Sequence, residues 1–322
     1  LPIALARADD PVEIETGRFD SVTNSIHNSG ISAQPGGGKA TDIAENAGVK
    51  YDRRTLTYAN SFDSRWTSLV IHALEWMTGK LVILQRIRKF EKTDVPTGLS
   101  FWRAALDIMG IALETPQSQL DNIPLSGPVV IVANHPHGLV DGMLMADLIS
   151  RRRADFKILT RSLLTGIDEA ASSYLIPVPF PHDEDVQRKS VEMRSAAMAV
   201  LRAGGVISVF PSGVVAASES MFGPAIEQDW NVFTAQMIRR SGATVVPVHF
   251  TGANSRWYQI ANRISATLRQ GLLLHEIVHS MDKPQAPVVG KPVSENEMQR
   301  LETDPRGFMA WLRGHTLGLG RD

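Results

Sequence analysis

From residue 128 onward, short apolar runs alternate with longer amphipathic stretches, and this rhythm leaves few folds open. "PVVIVAN" (128–134), "DFKILT" (155–160), "YLIPVPF" (174–180), "VISVFPSG" (206–213), "ATVVPVHFTG" (243–252) and "PQAPVVGKPV" (284–293) read as strands. Helical patterns lie between them. "DGMLMADLISRRR" ends in three arginines that complement a C-terminal helix dipole. "DVQRKSVEMRSAAMAVLRAGG" is stopped by glycines, and "WNVFTAQMIRRSG" is a further helix. Residues 294–313 form a C-terminal helix, with Ser294 and Glu297 spaced as a capping box. Such alternation implies an α/β fold with a mostly parallel central sheet flanked by helices. There is no internal repeat.

The first of these strands stops abruptly. In "VVIVANHPHGLVDG" (129–142) two histidines and a carboxylate follow the apolar run. Three chemistries compete for His135, His137 and Asp141. A metal site is the weakest, because no second ligand cluster follows the H-x-H-x3-D spacing. His249, His275 and His279 lie far downstream with no diagnostic spacing. A structural reading makes Asp141 the N-cap of the helix that follows and His135 a strand end. It accounts for Asp141, but not for Asn134, His135 and His137 crowding one turn in apolar surroundings. A general-base reading pairs a histidine with a carboxylate that fixes its tautomer and stabilises the imidazolium. On an unbroken helix His137 and Asp141 (i, i+4) face each other and His135 (i, i+6) does not, but Pro136 and Gly138 break any helix here. A curled loop folds His135 back onto the carboxylate instead, so local geometry leaves the choice of histidine open.

Residues 62–92 have another character. Asp63 or Ser64 caps a helix in which Trp66, Leu69, Val70, Leu74 and Met77 recur at helical spacing. Gly79 breaks the pattern and "LVILQRIRKF" resumes it, with Lys80, Arg86, Arg88, Lys89 and Lys92 against one acid, Glu91. This predicts an N-terminal amphipathic helical hairpin. It is membrane-facing through Trp66, Leu69, Val70, Arg86, Arg88 and Lys89 if it lies on an anionic bilayer. A core-packed helix pair with a solvated rim explains the pattern equally well. "SFWRAALDIMGIAL" (100–113) is a further amphipathic helix. No window reaches the roughly 18 uninterrupted apolar residues of a membrane span, which predicts a soluble or peripheral chain.

Residues 1–50 contain Phe19 as their only aromatic residue, and "SAQPGGGKATD" is linker-like. They read as a flexible or surface-wrapped segment, preceding a helical region over 51–115 and an α/β domain over 116–322. "LPIALARADD" is too short and too polar-flanked for an export signal. The absence of cysteine excludes disulfides, thiolate catalysis and Cys-ligated zinc. A net charge of −1 provides no basic field for nucleic acid.

Several blocks together resemble the glycerolipid (lysophosphatidic acid) acyltransferase superfamily. "NHPHGLVDG" resembles its first block, an Asn-His, a short spacer and an Asp. "VFPSG" resembles the third, usually Phe-Pro-Glu-Gly, and "VVPVHFTG" the fourth, an apolar strand carrying Val-Pro. "NSRWYQIANRISATLRQGLLLHEI" looks like the hemolysin-like, or lysophospholipid acyltransferase, branch. The likeness covers residues 60–293, and four blocks in order are far more specific than any one.

The resemblance implies that His135 is the general base and Asp141 its orienting carboxylate. The H-x5-D spacing, with Gly138 in the spacer, is the longer form found in the hemolysin-like branch, and His137 becomes a neighbour beside Asn134. Phe210, Pro211, Ser212 and Gly213 line the acceptor site, with Lys157, Arg161, Ser162, Asn254 and Arg256 as further substrate-binding candidates. Two departures matter. Ser212 replaces the usual glutamate of the third block. The arginine that ends the second block is missing, since "LIPVPFPHDED" offers Pro179 and Phe180 near that place. A proline cannot supply a guanidinium fork for phosphate, although Lys157, Arg161, Arg188 or Arg256 are substitutes. The acceptor is therefore expected to be a lyso-aminolipid, ornithine-lipid-like, with a free 3-hydroxyl on its amide-linked chain; lysophosphatidic acid is the alternative. Ser212 raises a rival serine hydrolase, but "FPSGVV" lacks the G-x-S-x-G elbow and fits a loop serine bonded to its own backbone. A non-catalytic lipid-binding protein is a third class.

In the implied reaction the lyso-lipid hydroxyl attacks a thioester of acyl carrier protein or coenzyme A, and His135 takes the proton. Backbone amides near 211–214 or around Gly138 stabilise the oxyanion. No metal or bound cofactor is implied; acyl-ACP or acyl-CoA is a co-substrate. The expected placement is peripheral (monotopic), on the cytoplasmic face of the membrane's inner leaflet. Arg86, Arg88 and Lys89 meet either that leaflet or an acidic carrier protein.

Overall fold

The computed structural model describes residue 57 and residues 65–92, 98–161, 169–179 and 183–321. The segment 1–50 lies outside them, as do Ser162 and Phe180. The strands are β1 (Val129–Ala133), β2 (Phe156–Arg161), β3 (Leu175–Val178), β4 (Val206–Val209), β5 (Ala217–Ser218), β6 (Ala225–Ile226), β7 (Thr244–His249) and β8 (Val288–Val289). The helices are α1 (Arg65–Glu75), α2 (Leu81–Phe90), α3 (Leu99–Ile108), α4 (Gln117–Leu120), α5 (Leu139–Ser150), α6 (Glu169–Ser172) and α7 (Val186–Arg202). They continue with α8 (Val232–Ser241), α9 (Arg256–Ile264), α10 (Ala266–Gly271), α11 (Leu273–Ser280), α12 (Glu295–Thr303) and α13 (Pro305–Gly318).

Six strands form one sheet in the order β3-β2-β4-β1-β7-β8, and β5 and β6 form a separate antiparallel pair. β1 pairs parallel with β4 and β7, β2 pairs parallel with β3 and β4, and only β8 runs antiparallel. The fold is therefore α/β with a mixed, mostly parallel sheet. Alternation along β1 explains why this strand is wholly apolar. Val129, Ile131 and Ala133 enter the core with α3, α5 and α11, whereas Val130 and Val132 enter the core with α7, α8, α12 and α13. Burying each valine or isoleucine contributes about 1.5–3 kcal/mol, so a polar residue on either face would be severe.

β1, β4 and β7 are adjacent and parallel, so their carboxyl ends share one edge of the sheet. The loops that leave them start at Asn134, Phe210 and Phe250 and gather at that edge, where open α/β sheets present their ligand sites.

Three local details differ from the sequence pattern. β8 has only two residues, because Pro287 and Pro292 flank it and cannot donate to a ladder. The expected C-terminal helix divides at Asp304, whose side chain caps α13 by accepting from Gly307 N–H at 2.9 Å while Pro305 occupies its first turn. Ser294 caps α12 by accepting from Glu297 N–H, as the spacing indicated. Gly79 does not stop the N-terminal helical unit. It lies in a π-helical turn, Trp76–Lys80, that joins α1 to α2. A Cβ at Gly79 would sit 3.0 Å from the Leu274 carbonyl oxygen, so the glycine permits close approach to α11.

The resulting 26-residue helix, Arg65–Phe90, is long and apolar enough to cross a membrane, and only 28% of its most apolar window is buried. Ile71, Ile83 and Phe90 face the core. Trp66, Leu69, Val70, Trp76, Met77, Leu81 and Val82 face outward. Lys80 is buried against Glu75 rather than joining a basic rim, and Thr57 donates to that glutamate at 2.7 Å. Arg86 is engaged at the surface instead, binding both oxygens of the exposed Asp282 and the Ile108 carbonyl. Arg88 and Lys89 remain exposed at that end.

Candidate active site

The site begins where β1 ends. Asn134 ties the β1 loop to the β7 loop: its amide donates to the Phe250 carbonyl and accepts from Phe250 N–H, both at 2.8 Å. The chain then curls through His135, Pro136 and His137 to Gly138, whose φ of 78° suits a residue without Cβ. Gly138 is the N-cap of α5, and Asp141 is the third residue of that helix rather than its cap. The carboxylate reaches back instead. Oδ2 of Asp141 accepts from the N–H groups of His137 at 2.8 Å and Gly138 at 3.0 Å.

The same carboxylate holds both imidazoles. His135 Nδ1 lies 3.0 Å from Oδ2 and His137 Nδ1 lies 3.0 Å from Oδ1. The helical spacing serves His137 and the curled loop serves His135, so both alternatives left open by the sequence are realised at once. An ionised carboxylate only accepts, so each ring donates through Nδ1, and in the neutral form of either ring the lone pair is then on Nε2. Burial alone would push the Asp141 carboxyl up. The His137 charge and the bonds from both rings outweigh it and hold the pKa at about 2. Burial likewise pulls the His137 pKa down, but the charge and hydrogen bond of Asp141 prevail and raise it.

The two rings differ in surroundings. The His135 side chain is 18% exposed and that of His137 7%. His135 stacks on Phe210 with ring centroids 4.1 Å apart. Nε2 of His137 faces Gly252, where a Cβ would lie 2.9 Å away, and the φ of 103° at Gly252 also favours glycine.

Glu227 was not legible as a site residue. It is buried, its Oε2 accepts from His135 N–H at 3.0 Å, and its Oε1 accepts from Trp230 Nε1 at 3.0 Å. Burial raises its pKa against the opposing pull of these bonds and of the Ser212 hydroxyl beside it. Arg313 of α13 donates to its main-chain carbonyl. A buried carboxylate thus adjoins Ser212, where the family block usually carries one. Ser212 itself donates to the Val214 carbonyl at 2.9 Å, the bland role expected of a loop serine.

Other expected residues sit as follows. Gly138 N–H is taken by Asp141 and Gly213 N–H by the Phe210 carbonyl, so neither is free for an oxyanion. Pro211 accepts from Asn231 N–H. Lys157 donates to the Ser173 carbonyl and lies over the Tyr174 ring. Arg161 ends β2. Arg188 is solvent-exposed and paired with Asp185 and Glu192. Asn254 and Arg256 line a cleft of about 780 Å³ that Gly252 also borders, with Gln259, His275 and His279. Among the described residues no group of three or more His, Cys, Asp or Glu side chains is arranged to hold a metal ion.

Residues 117–251, from α4 to the loop after β7, match the acyltransferase family model. That stretch, less than half of the chain, is similar to the acyltransferase family. The matched span includes His135, His137, Asp141, Phe210–Gly213 and Glu227, and excludes the N-terminal helices and α9–α13. The chain is also distantly similar to two curated proteins. One is the lyso-glycine lipid O-acyltransferase of Phocaeicola vulgatus, 24% identical over 213 residues that cover 64% of this chain and 73% of the relative. The other is the lyso-glycine lipid O-acyltransferase of Bacteroides thetaiotaomicron, 23% identical over 214 residues that cover 64% and 75%.

Proposed function

We propose that this acyltransferase moves a fatty acyl chain from an acyl thioester to the free hydroxyl of a lyso-lipid, with His135 as general base and Asp141 as its orienting carboxylate. One observation carries the reading: within the family-matched span, His135 is fixed through Nδ1 at 3.0 Å from a buried carboxylate and keeps Nε2 for a substrate proton. Its greater exposure, the matching block and the backbone contact from Glu227 favour it over His137.

The lyso-lipid hydroxyl attacks the thioester carbonyl as His135 Nε2 takes its proton. The tetrahedral intermediate collapses, the C–S bond breaks, and the imidazolium returns the proton to the departing thiolate. The products are an ester and a free thiol. Acyl carrier protein or coenzyme A supplies the thioester. The acceptor is a lyso-aminolipid rather than lysophosphatidic acid. The two relatives named for lyso-glycine lipid support this choice, as does the missing second-block arginine. The outward apolar face of Arg65–Phe90, with exposed Arg88 and Lys89 at one end, docks the protein peripherally on the cytoplasmic leaflet.

Acyl transfer from acyl-ACP or acyl-CoA to a 3-hydroxyacyl amino acid and to lysophosphatidic acid tests the reading. His135→Ala should lower kcat by about 10³-fold or more, while His137→Ala lowers it about tenfold. The opposite ranking assigns the base to His137, and no transfer to either acceptor from either donor refutes the function.

A further inference from the structure

Beside the histidine pair lies a cleft of about 780 Å³, bordered by the β7–α9 loop, the β5–β6 pair and α11. Its wall contains three amide atoms without a hydrogen-bond partner: Nδ2 and Oδ1 of Asn254, and Nε2 of Gln259. Both side chains are more than nine-tenths buried, at 6% and 2% exposure. Gln259 is oriented by its other end, since Oε1 accepts from Ser218 N–H at 2.7 Å. Orphaned buried amides are unfavourable and rare, and a ligand that pairs with them removes the penalty.

The same wall is the N-terminus of α9. Ser255 caps that nine-residue helix, and Glu276 clamps Ser255 through its N–H and hydroxyl at 2.6 Å each. The Ser255 hydroxyl takes the Tyr258 N–H, which leaves the Arg256 and Trp257 N–H groups as the first-turn donors without a partner within the helix, and such donors favour an anion. Arg256 stands at the lip, its guanidinium donating to the Phe222 and Gly223 carbonyls. It is the one permanent cation among the described lining residues. A single cation matches a carboxylate better than a phosphate dianion. Asn254 offers one donor and one acceptor side by side, the complement of a secondary amide.

We propose that this cleft is the headgroup pocket for an N-acyl amino acid, whose amide pairs with Asn254 and whose carboxylate meets Gln259, Arg256 and the α9 N-terminus. The inference rests on the lyso-lipid acyltransferase reading and narrows its acceptor. The cleft adjoins the histidine pair: Gly252, beside Nε2 of His137, is two residues from Asn254, at most about 7 Å along the chain.

The test is binding of the full chain in detergent micelles to N-(3-hydroxyacyl)glycine, its methyl ester and lysophosphatidic acid, followed by calorimetry and alongside acyl transfer. Wild type should bind the free acid at least about tenfold more tightly than either comparator. Gln259→Leu should weaken that binding about tenfold, and so should Asn254→Asp, which keeps the shape and sets a like charge beside the ligand. His135→Ala should bind as wild type and fail to transfer. Equal affinity for acid and ester, tighter binding of lysophosphatidic acid, or wild-type affinity in folded Asn254→Asp overturns the pocket even if acyl transfer stands. Absence of transfer to every lyso-lipid overturns the reading beneath it.

Discussion

Replacing Asp141 with asparagine separates what its shape does from what its charge does. Three donors converge on Oδ2, namely His135 Nδ1 and the N–H groups of His137 and Gly138, whereas Oδ1 receives only His137 Nδ1. The amide oxygen of the Asp141→Asn side chain should therefore occupy the Oδ2 position, which preserves the α5 cap and the His135 tautomer. Its NH2 then faces His137 Nδ1 and drives that ring to carry its proton on Nε2. Little is left unpaired, so the expected loss of stability is about 1–3 kcal/mol. On the proposed general-base mechanism the loss of catalysis should be larger, because an imidazolium formed in the transition state no longer has a buried counter-charge. Removing one partner of a buried pair costs about 3–5 kcal/mol, which corresponds to a fall in kcat of about 10²–10⁴-fold. Single-turnover transfer of a radiolabelled acyl chain measures the step, and thermal unfolding checks the fold. A folded Asp141→Asn protein with kcat within about tenfold of wild type would refute the argument that this carboxylate stabilises the charged base.

Two further outcomes are expected. Replacing Trp66, Leu69 and Met77, exposed at 82%, 63% and 82%, with serine together should weaken binding to anionic vesicles without unfolding the chain. If each side chain contributes about 1 kcal/mol on partial insertion, the fall is about 10²-fold in a sedimentation assay. The His137 pKa is raised above its ordinary value, so its ion pair stabilises fully below about pH 6.5 and fades as pH rises through the folded value. Asp141, lowered to about 2, contributes throughout that range and fails only in strong acid. His137→Asn should consequently lower the melting temperature more at about pH 5.5 than at about pH 9, and a reversed trend would contradict the pairing.

Much of the sheet was legible because its strands are buried on both faces and announce themselves as unbroken apolar runs. Val129–Ala133, Phe156–Arg161, Val206–Val209 and Thr244–His249 all coincide with the expected segments, to within a residue at the end of β2. The His135–Asp141 contact was legible as one option because six residues suffice for a loop to close on itself. Glu227 was not, since it reaches His135 from 92 residues away and the stretch around it has no period. Nor was the use of Gly79, because a glycine that ends a helix and one that lets two helices touch look alike until the neighbour, here Leu274, is known. Asp304–Pro305 was a readable stop that the capping pair at Ser294 and Glu297 obscured.

One acid gripping two rings pins both through the same nitrogen, Nδ1. Neither imidazole can flip without giving up a bond to a fully buried carboxylate. The two outward nitrogens therefore keep a fixed station relative to each other, and a change that tilts one ring is felt by the other through the oxygen pair they share.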